Sequence, residues 1–232
     1  NQLSMSVILC LETATTVCSV AIFADKQLLG YQEYRIDKSH SNLLPSIIDT
    51  TLHGLSLSKA DLTAIAVSEG PGSYTGLRIG TSIAKGLCYA LEIPLLSVNT
   101  LHAMAAEVNK FNTKDAFLCP MIDARRMEVY ACVINSEGGA EQETAPHIID
   151  EHSFSEHLDK HEVWFFGNGS DKCKELIGKN TNAVFISDVV PSAKSMGELA
   201  CEQLQSSSYK DLAYFEPFYL KEFRATKPKS VS

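Results

Sequence analysis

Three carboxylates, Glu12, Glu69 and Asp123, stand at or just past the ends of apolar runs that read as strands. In open α/β sheets ligands collect at strand C-termini, and three carboxylates gathered there could hold Mg²⁺ for phosphoryl or nuclease chemistry. The competing reading is solvated strand ends, and Glu12 is a long, loose ligand for a site that wants a short, rigid one. The run Gly70-Pro71-Gly72-Ser73-Tyr74-Thr75-Gly76-Leu77-Arg78-Ile79-Gly80 opens a helix directly after a strand. It lacks the Gly-Lys-Ser/Thr ending of a Walker A loop, yet its backbone N–H groups could face a phosphate or carboxylate. Gly76, Gly80, Ala84 and Cys88 then recur every four residues, leaving a helical stripe nearly free of side chains. Such a stripe lets another element approach closely. The sequence favours a second subunit in that place and leaves burial against the chain's own sheet as the alternative.

A second glycine turn, Gly167-Asn168-Gly169-Ser170, also follows a strand-like run, Val163–Phe166. With Glu12 and Thr13 on the first strand, Gly167 and Gly169 are the candidates for contacting a nucleotide. His157 and His161 have the i, i+4 spacing of a helical metal pair, but only two nitrogens are offered, no Glu follows the first His, and the pair reads as part of a solvated surface helix. His40 and His102 are isolated, and no Ser/His/Asp or Cys/His set is apparent.

The elements that must carry these residues follow from apolar periodicity. Strands are expected at Val7–Thr13, Val17–Ala24 and Leu28–Ile36, joined by links short enough for an antiparallel meander. A helix at Ser41–Leu55 follows, then strand Ala64–Ser68, helix Tyr74–Leu91, strand Leu95–Val98 and helix Thr100–Val108. Three meandering strands followed by alternating helices and strands make the ribonuclease-H-like unit, which is duplicated in actin-like ATPases. A second unit starts near Phe111, with strands Ala116–Ile122 and Val129–Asn135 and a turn at Ser136–Gly139. Beyond it the pattern weakens: helix Ser153–His161, strand Val163–Phe166, helix Asp171–Ile177, strand Val184–Ser187, helix Ser195–Leu204. The fold class is therefore α/β, a two-lobed actin-like arrangement with an abbreviated second lobe, divided as 5–110 and 111–232.

The 232 residues are 45% hydrophobic and 21% charged, with no apolar stretch long enough to span a membrane. Asn1–Ser4 precede Met5, which is expected to be the natural start. Seven scattered cysteines, with no Cys-x-x-Cys, read as reduced core thiols of a cytoplasmic protein. The net charge of −8 argues against a chain that grips nucleic acid alone; the densest basic group, Lys221, Arg224, Lys227 and Lys229, reads as a solvated tail.

Leu11-Glu12-Thr13-Ala14, the Gly70–Gly80 run, Asp123-Ala124-Arg125-Arg126-Met127-Glu128-Val129-Tyr130, Phe166-Gly167-Asn168-Gly169 and Pro217-Phe218-Tyr219-Leu220-Lys221 together resemble the bacterial TsaB family, also called YeaZ. The likeness runs in order along nearly the whole chain; Lys221 stands where the family's tail has arginine. The resemblance implies an essential, non-catalytic subunit of the machinery that puts threonylcarbamoyl on the adenosine beside the anticodon of ANN-reading tRNAs. It implies pairing with the catalytic paralogue TsaD through first-lobe helices, contact with the ATPase TsaE, self-association, and tRNA reached only through the complex. That paralogue binds its metal through His-x-x-x-His; the matching positions here are Thr100 and Met104, poor ligands for a hard or borderline divalent ion, with His102 between them. A metal site and a tightly bound cofactor are therefore not expected, and the sequence leaves open whether ATP or ADP sits at an interface shared with a partner.

The expected docking face comprises Leu44 and Ile48 on the first helix with Tyr74, Gly76, Arg78, Gly80, Ala84 and Cys88 on the second. Two rivals stand beside this reading: an actin-like ATPase or phosphotransferase using Glu12, Glu69 and the glycine turns, and a metalloprotease of the glycoprotease type.

Overall fold

In the computed structural model, residues 6–36 and 40–220 are described. Met5 and the basic tail from Lys221 onward lie outside them. The first sheet is built from β1 (Val7–Glu12), β2 (Val17–Ala24), β3 (Gln27–Arg35), β4 (Ala64–Gly70) and β5 (Leu95–Asn99), in the order β3-β2-β1-β4-β5. β1, β2 and β3 pair antiparallel, whereas β4 and β5 join β1 in parallel. Every residue of β1 and β2 is buried, which is why these strands read as continuous apolar runs rather than alternations. Parallel pairing requires crossovers, and α1 (His40–Gly54) and α2 (Tyr74–Leu91) supply them. Both pack on one sheet face through Leu44, Ile48, Ala84 and Cys88 against Leu9, Leu11, Val20 and Val67.

α2 is bounded at both ends by its own sequence. The Ser73 hydroxyl accepts the Gly76 N–H at the N-cap, and Glu92 adopts φ 54° at the C-cap, just before Pro94. In α3 (Thr100–Asn109) the Asn99 side chain caps the N–H groups of Leu101 and His102.

The second sheet holds β6 (Phe117–Asp123), β7 (Glu128–Ile134), β8 (Ala140–Ile148), β9 (Val163–Phe166) and β10 (Ala183–Ile186). Its order, β8-β7-β6-β9-β10, repeats that of the first sheet. The expected duplication is therefore present, and it includes a strand the sequence reading lacked. β8 is an edge strand of mostly exposed polar residues, Ala-Glu-Gln-Glu-Thr-Ala-Pro-His-Ile, so it carries no apolar alternation. The lobe's crossovers are short: α4 (Ser155–Leu158) is four residues where nine were expected, and Asp171–Ile177 divides into a 3-10 turn and α5 (Lys174–Ile177).

The lobes interlock. α3, at the end of the first unit, lays Leu101, Met104, Ala105 and Val108 on the second sheet, beside Leu118, Ile122 and Phe166. Reciprocally, the 3-10 turn Ala193–Ser195 and α6 (Gly197–Gln205) cover the free face of the first sheet, where Ala193, Met196, Ala200 and Cys201 meet Ile8, Cys10, Ala21 and Phe23. Residues 210–219 then strap the first lobe. Lys210 N–H donates to Leu95 O, Lys85 Nζ donates to Ala213 O and Phe215 O, and Leu212 and Phe215 join the first core. The division at 110/111 thus separates the sheets, but residues 193–219 lie mostly against the first lobe, a correction to the expected boundaries, while Leu220 returns to the second-lobe cluster. No helix among the described residues is long and apolar enough to cross a membrane.

Gly76 and Gly86 share α2 and differ in what a side chain would meet. A Cβ on Gly76 would lie 2.1 Å from Thr13 O, whereas one on Gly86 would meet nothing within 4 Å. Gly76→Ala is expected to destabilise by about 1–3 kcal/mol through overpacking, and Gly86→Ala to stabilise by roughly 0.5–1 kcal/mol. Urea denaturation checks both, and equal midpoints for the two variants would contradict this packing.

Candidate functional site

The β1–β2 turn, residues 13–16, is the meeting point of the first lobe. Thr13 Oγ1 donates to Gly76 O at 2.9 Å, Ser73 N–H donates to Ala14 O at 2.6 Å, and His40 Nε2 donates to Thr15 O at 2.8 Å. A Cβ on Gly72 would sit 2.2 Å from Ala14 O, and one on Gly80 2.4 Å from Thr13 Oγ1. The glycine run is therefore a close-packing device, and His40, isolated in sequence, pins the start of α1 to the same turn. Glu12 and Thr13, expected to face a nucleotide, are both fully buried. Glu12 Oε1 accepts the Ala14 N–H at 2.6 Å, and its Oε2 has no partner.

The second lobe repeats the arrangement. Gly167 (φ 98°) lies so close to the end of β6 that a Cβ would fall 2.2 Å from Met121 O, and Gly169 N–H donates to Met121 O. Asn168 Oδ1 accepts the Asp123 N–H at 3.0 Å. The Asp123 carboxylate takes the Lys172 ammonium, which also donates to Arg126 O and Glu128 O at 2.7 and 2.6 Å. Gly167 and Gly169, like the first glycine run, are thus spent on packing against a strand end.

Glu12, Glu69 and Asp123 do not converge. Glu12 serves the turn, Asp123 binds Lys172, and Glu69 accepts the Ser97 hydroxyl. Among the described residues no group of three His, Cys, Asp or Glu could hold a metal ion. Thr100 and Met104 lie one turn apart on α3, both buried, and the Thr100 hydroxyl has no partner. A buried hydroxyl and a thioether are a poor donor set for the divalent ion of a TsaD-like site, so these residues do not fit it. His157 hydrogen-bonds Gln142, and His161 stacks on Phe117 at 3.9 Å.

The expected docking face needs correction. Gly76, Gly80, Ala84 and Cys88, with Leu44 and Ile48, point into the first core and are closed to any partner. Small residues at this spacing seat α2 on its own sheet rather than on a second molecule. Of that set only Tyr74 and Arg78 reach the outer surface. There they border an open groove of about 640 Å³ between α1 and α2, walled by Pro45, Ile79, Ile83 and Ser82. Arg78 Nη1 donates to Tyr74 Oη at 2.9 Å with its guanidinium 5.3 Å from the ring centre. Tyr219, from the strap, packs its ring against Tyr74 at 4.8 Å with the planes tilted by 38°.

A second concavity, about 690 Å³, opens between the lobes, with Glu69, Ser97, His102, Glu143, Gln203, Lys210 and Phe218 in its wall. Burial lowers the His102 pKa against the pull of Glu143 and Glu69. Sequence reasoning missed this gathering, because its members come from five segments. In the sequence the strap shows only as the Pro217-Phe218-Tyr219-Leu220-Lys221 motif, which carries no sign of what it packs against.

Burial pushes the Glu12 carboxyl up from 4.5 to about 7, against hydrogen bonds from Ala14, Ser68 and Thr13 that favour the ionised form. The folded chain thus holds a proton that the unfolded chain releases above pH 4.5. Stability from this group is full below 4.5, falls as the pH rises to about 7, and is level beyond. Glu12→Gln, which cannot ionise, is expected to lose less stability than the wild type between pH 5 and about 7.5. Parallel urea midpoints across that range would contradict a carboxyl so buried.

A family profile described as "TsaD: tRNA N6-adenosine threonylcarbamoyltransferase" matches residues 35–230. The tRNA threonylcarbamoyladenosine biosynthesis protein TsaB of Escherichia coli is 33% identical over 230 residues, covering 95% of this chain and 96% of that protein. The protein of the same name from Bacillus subtilis is 31% identical over 139 residues, 60% of this chain and 59% of that one. A crystal structure from Pseudomonas aeruginosa, described as similar to peptidase YEAZ, superposes with a TM-score of 0.81 at 24% identity, covering 94% of this chain and all of that one. A 2-hydroxyisocaproyl-CoA dehydratase activator from Clostridium difficile shares the two-lobed actin-like fold, with a TM-score of 0.52 at 9% identity over 87% of this chain and 97% of that one. The profile along most of the chain and the near full-length E. coli relative lead to one conclusion: the chain belongs to the TsaB (YeaZ) family.

Proposed function

We propose that the chain serves tRNA threonylcarbamoyladenosine biosynthesis as a non-catalytic subunit that docks on the catalytic paralogue TsaD and activates it. The names of its relatives support the pathway. The observation that carries the docking role is the open groove between α1 and α2, with Pro45, Ile79 and Ile83 in its wall and Tyr74 and Arg78 at its edge. Open apolar concavities of this kind suit a partner's helix. A partner seated there can stabilise the active arrangement of a subunit whose own equilibrium is unfavourable. The same surface serves self-association when TsaD is absent, and TsaE joins the assembled pair. With a net charge of −8 the chain leaves most of the tRNA grip to its partners. Seven buried, unpaired cysteines suit work in the cytoplasm.

Catalysis by the chain alone has less support. Both glycine turns are filled by the chain's own strand ends, and Thr100 and Met104 are unsuited to a catalytic divalent ion. A nucleotide shared with TsaD at the interface remains compatible with this role.

The test is reconstitution of tRNA modification with every other component held constant. Modification is expected to fall to background without this chain. Ser82→Arg, at an exposed position in the groove wall, is expected to bind TsaD at least about tenfold more weakly and to restore little activity. Full modification in the chain's absence would overturn the proposal.

A further inference from the structure

Arg78 is the only charged residue in the wall of the α1–α2 groove among the described residues. It is held in advance of any partner. The Tyr74 hydroxyl accepts one of its N–H groups, the Tyr74 ring lies beneath the guanidinium, and Tyr219 braces that ring from the strap. The strap is itself fixed, with Phe218 N–H donating to Glu69 O at 2.7 Å. Among the described residues Arg78 takes part in no ion pair, and Glu216 on the strap acts electrostatically on the neighbouring Tyr219. A planar guanidinium with free donors, fixed on an aromatic face at the edge of an apolar groove, is built to take a carboxylate in a two-point contact.

The docking helices of a second copy offer no such group. α2 contains no Asp or Glu, and the one acid on α1, Asp49, is already bound to Lys59 Nζ at 2.7 Å. In a face-to-face pair of identical chains each Arg78 would enter the contact without a carboxylate from the opposing helices, and an unpaired charge in a closing interface opposes association.

We propose that Arg78 is the specificity anchor of the groove, favouring a different subunit whose docking helix presents an acidic side chain among apolar ones over a second copy of this chain. This rests on the groove being the docking surface, as set out above. Specificity arises from both sides: a fixed pair gained with one partner and an unpaired charge imposed on the other.

The experiment measures binding of the purified TsaD subunit from the same organism by calorimetry, and self-association by sedimentation, each at low and high salt. Arg78→Met keeps the aliphatic stem and removes the fork. It is expected to weaken TsaD binding by about tenfold or more and to flatten its salt dependence, leaving self-association equal or stronger. Arg78→Lys is expected to fall between wild type and Arg78→Met. Circular dichroism verifies that each variant is folded. Ser82→Arg separates the two levels of the argument. If Ser82→Arg loses TsaD while Arg78→Met binds like wild type, the anchor is overturned and the groove stands. If Ser82→Arg also binds normally, both fall. Equal weakening of both associations by Arg78→Met would also overturn the anchor, since the residue would then be generic to the surface.

Discussion

A glycine backbone lying against the end of the first strand is the constraint on which both lobes depend. In the first lobe Gly72, Gly76 and Gly80 meet the carbonyls and hydroxyl of Thr13 and Ala14; in the second, Gly167 and Gly169 meet Met121, Ile122 and Asp123. Any side chain there would need space that backbone atoms already fill, so the contact fixes where the following helix starts. For α2 this sets more than position. With the bare stripe turned inward, the opposite side of the helix must carry Tyr74, Arg78 and Ser82, and the groove beside α1 follows from that rotation.

The exchange of helices between lobes is the second organising fact. α3 packs between the sheets, with Ala103 on the first and Leu101, Met104 and Val108 on the second, and α6 covers the first. α3 therefore faces two environments. Thr100 and Met104 are buried, whereas His102 reaches the cleft between the lobes with Glu69 and Glu143. The two concavities of the molecule are linked through the strap, whose Phe218 lines the cleft and whose Tyr219 braces the groove's edge.

Much of this was legible in the sequence. β1, β2, β4 and both long helices of the first lobe announce themselves by apolar runs, helical spacing and Ser73 and Pro94 at the limits of α2. The meaning of the small-residue stripe was not legible. Four-residue spacing of Gly76, Gly80, Ala84 and Cys88 states that something approaches closely, and it is silent on whether that is a sheet or a foreign helix. β8 escaped because an exposed edge strand need not alternate, and Pro146 is tolerated there. The reach of residues 193–219 back to the first lobe is a property of tertiary packing, as is the gathering of Glu69 with Ser97 and His102. Local patterns carry no information about such distant pairs.

The covering of β1 and β2 by Ala193, Met196 and Ala200 also has a temporal side. Ser19 Oγ accepts the Ala193 N–H across 174 positions of chain. On the ribosome, synthesis proceeds from the N-terminus, so Ile8, Cys10, Ala21 and Phe23 wait uncovered until nearly the whole polypeptide has emerged. A chain ending before Ala193 lacks the residues that cover this apolar face, and exposed apolar surface of that kind favours aggregation.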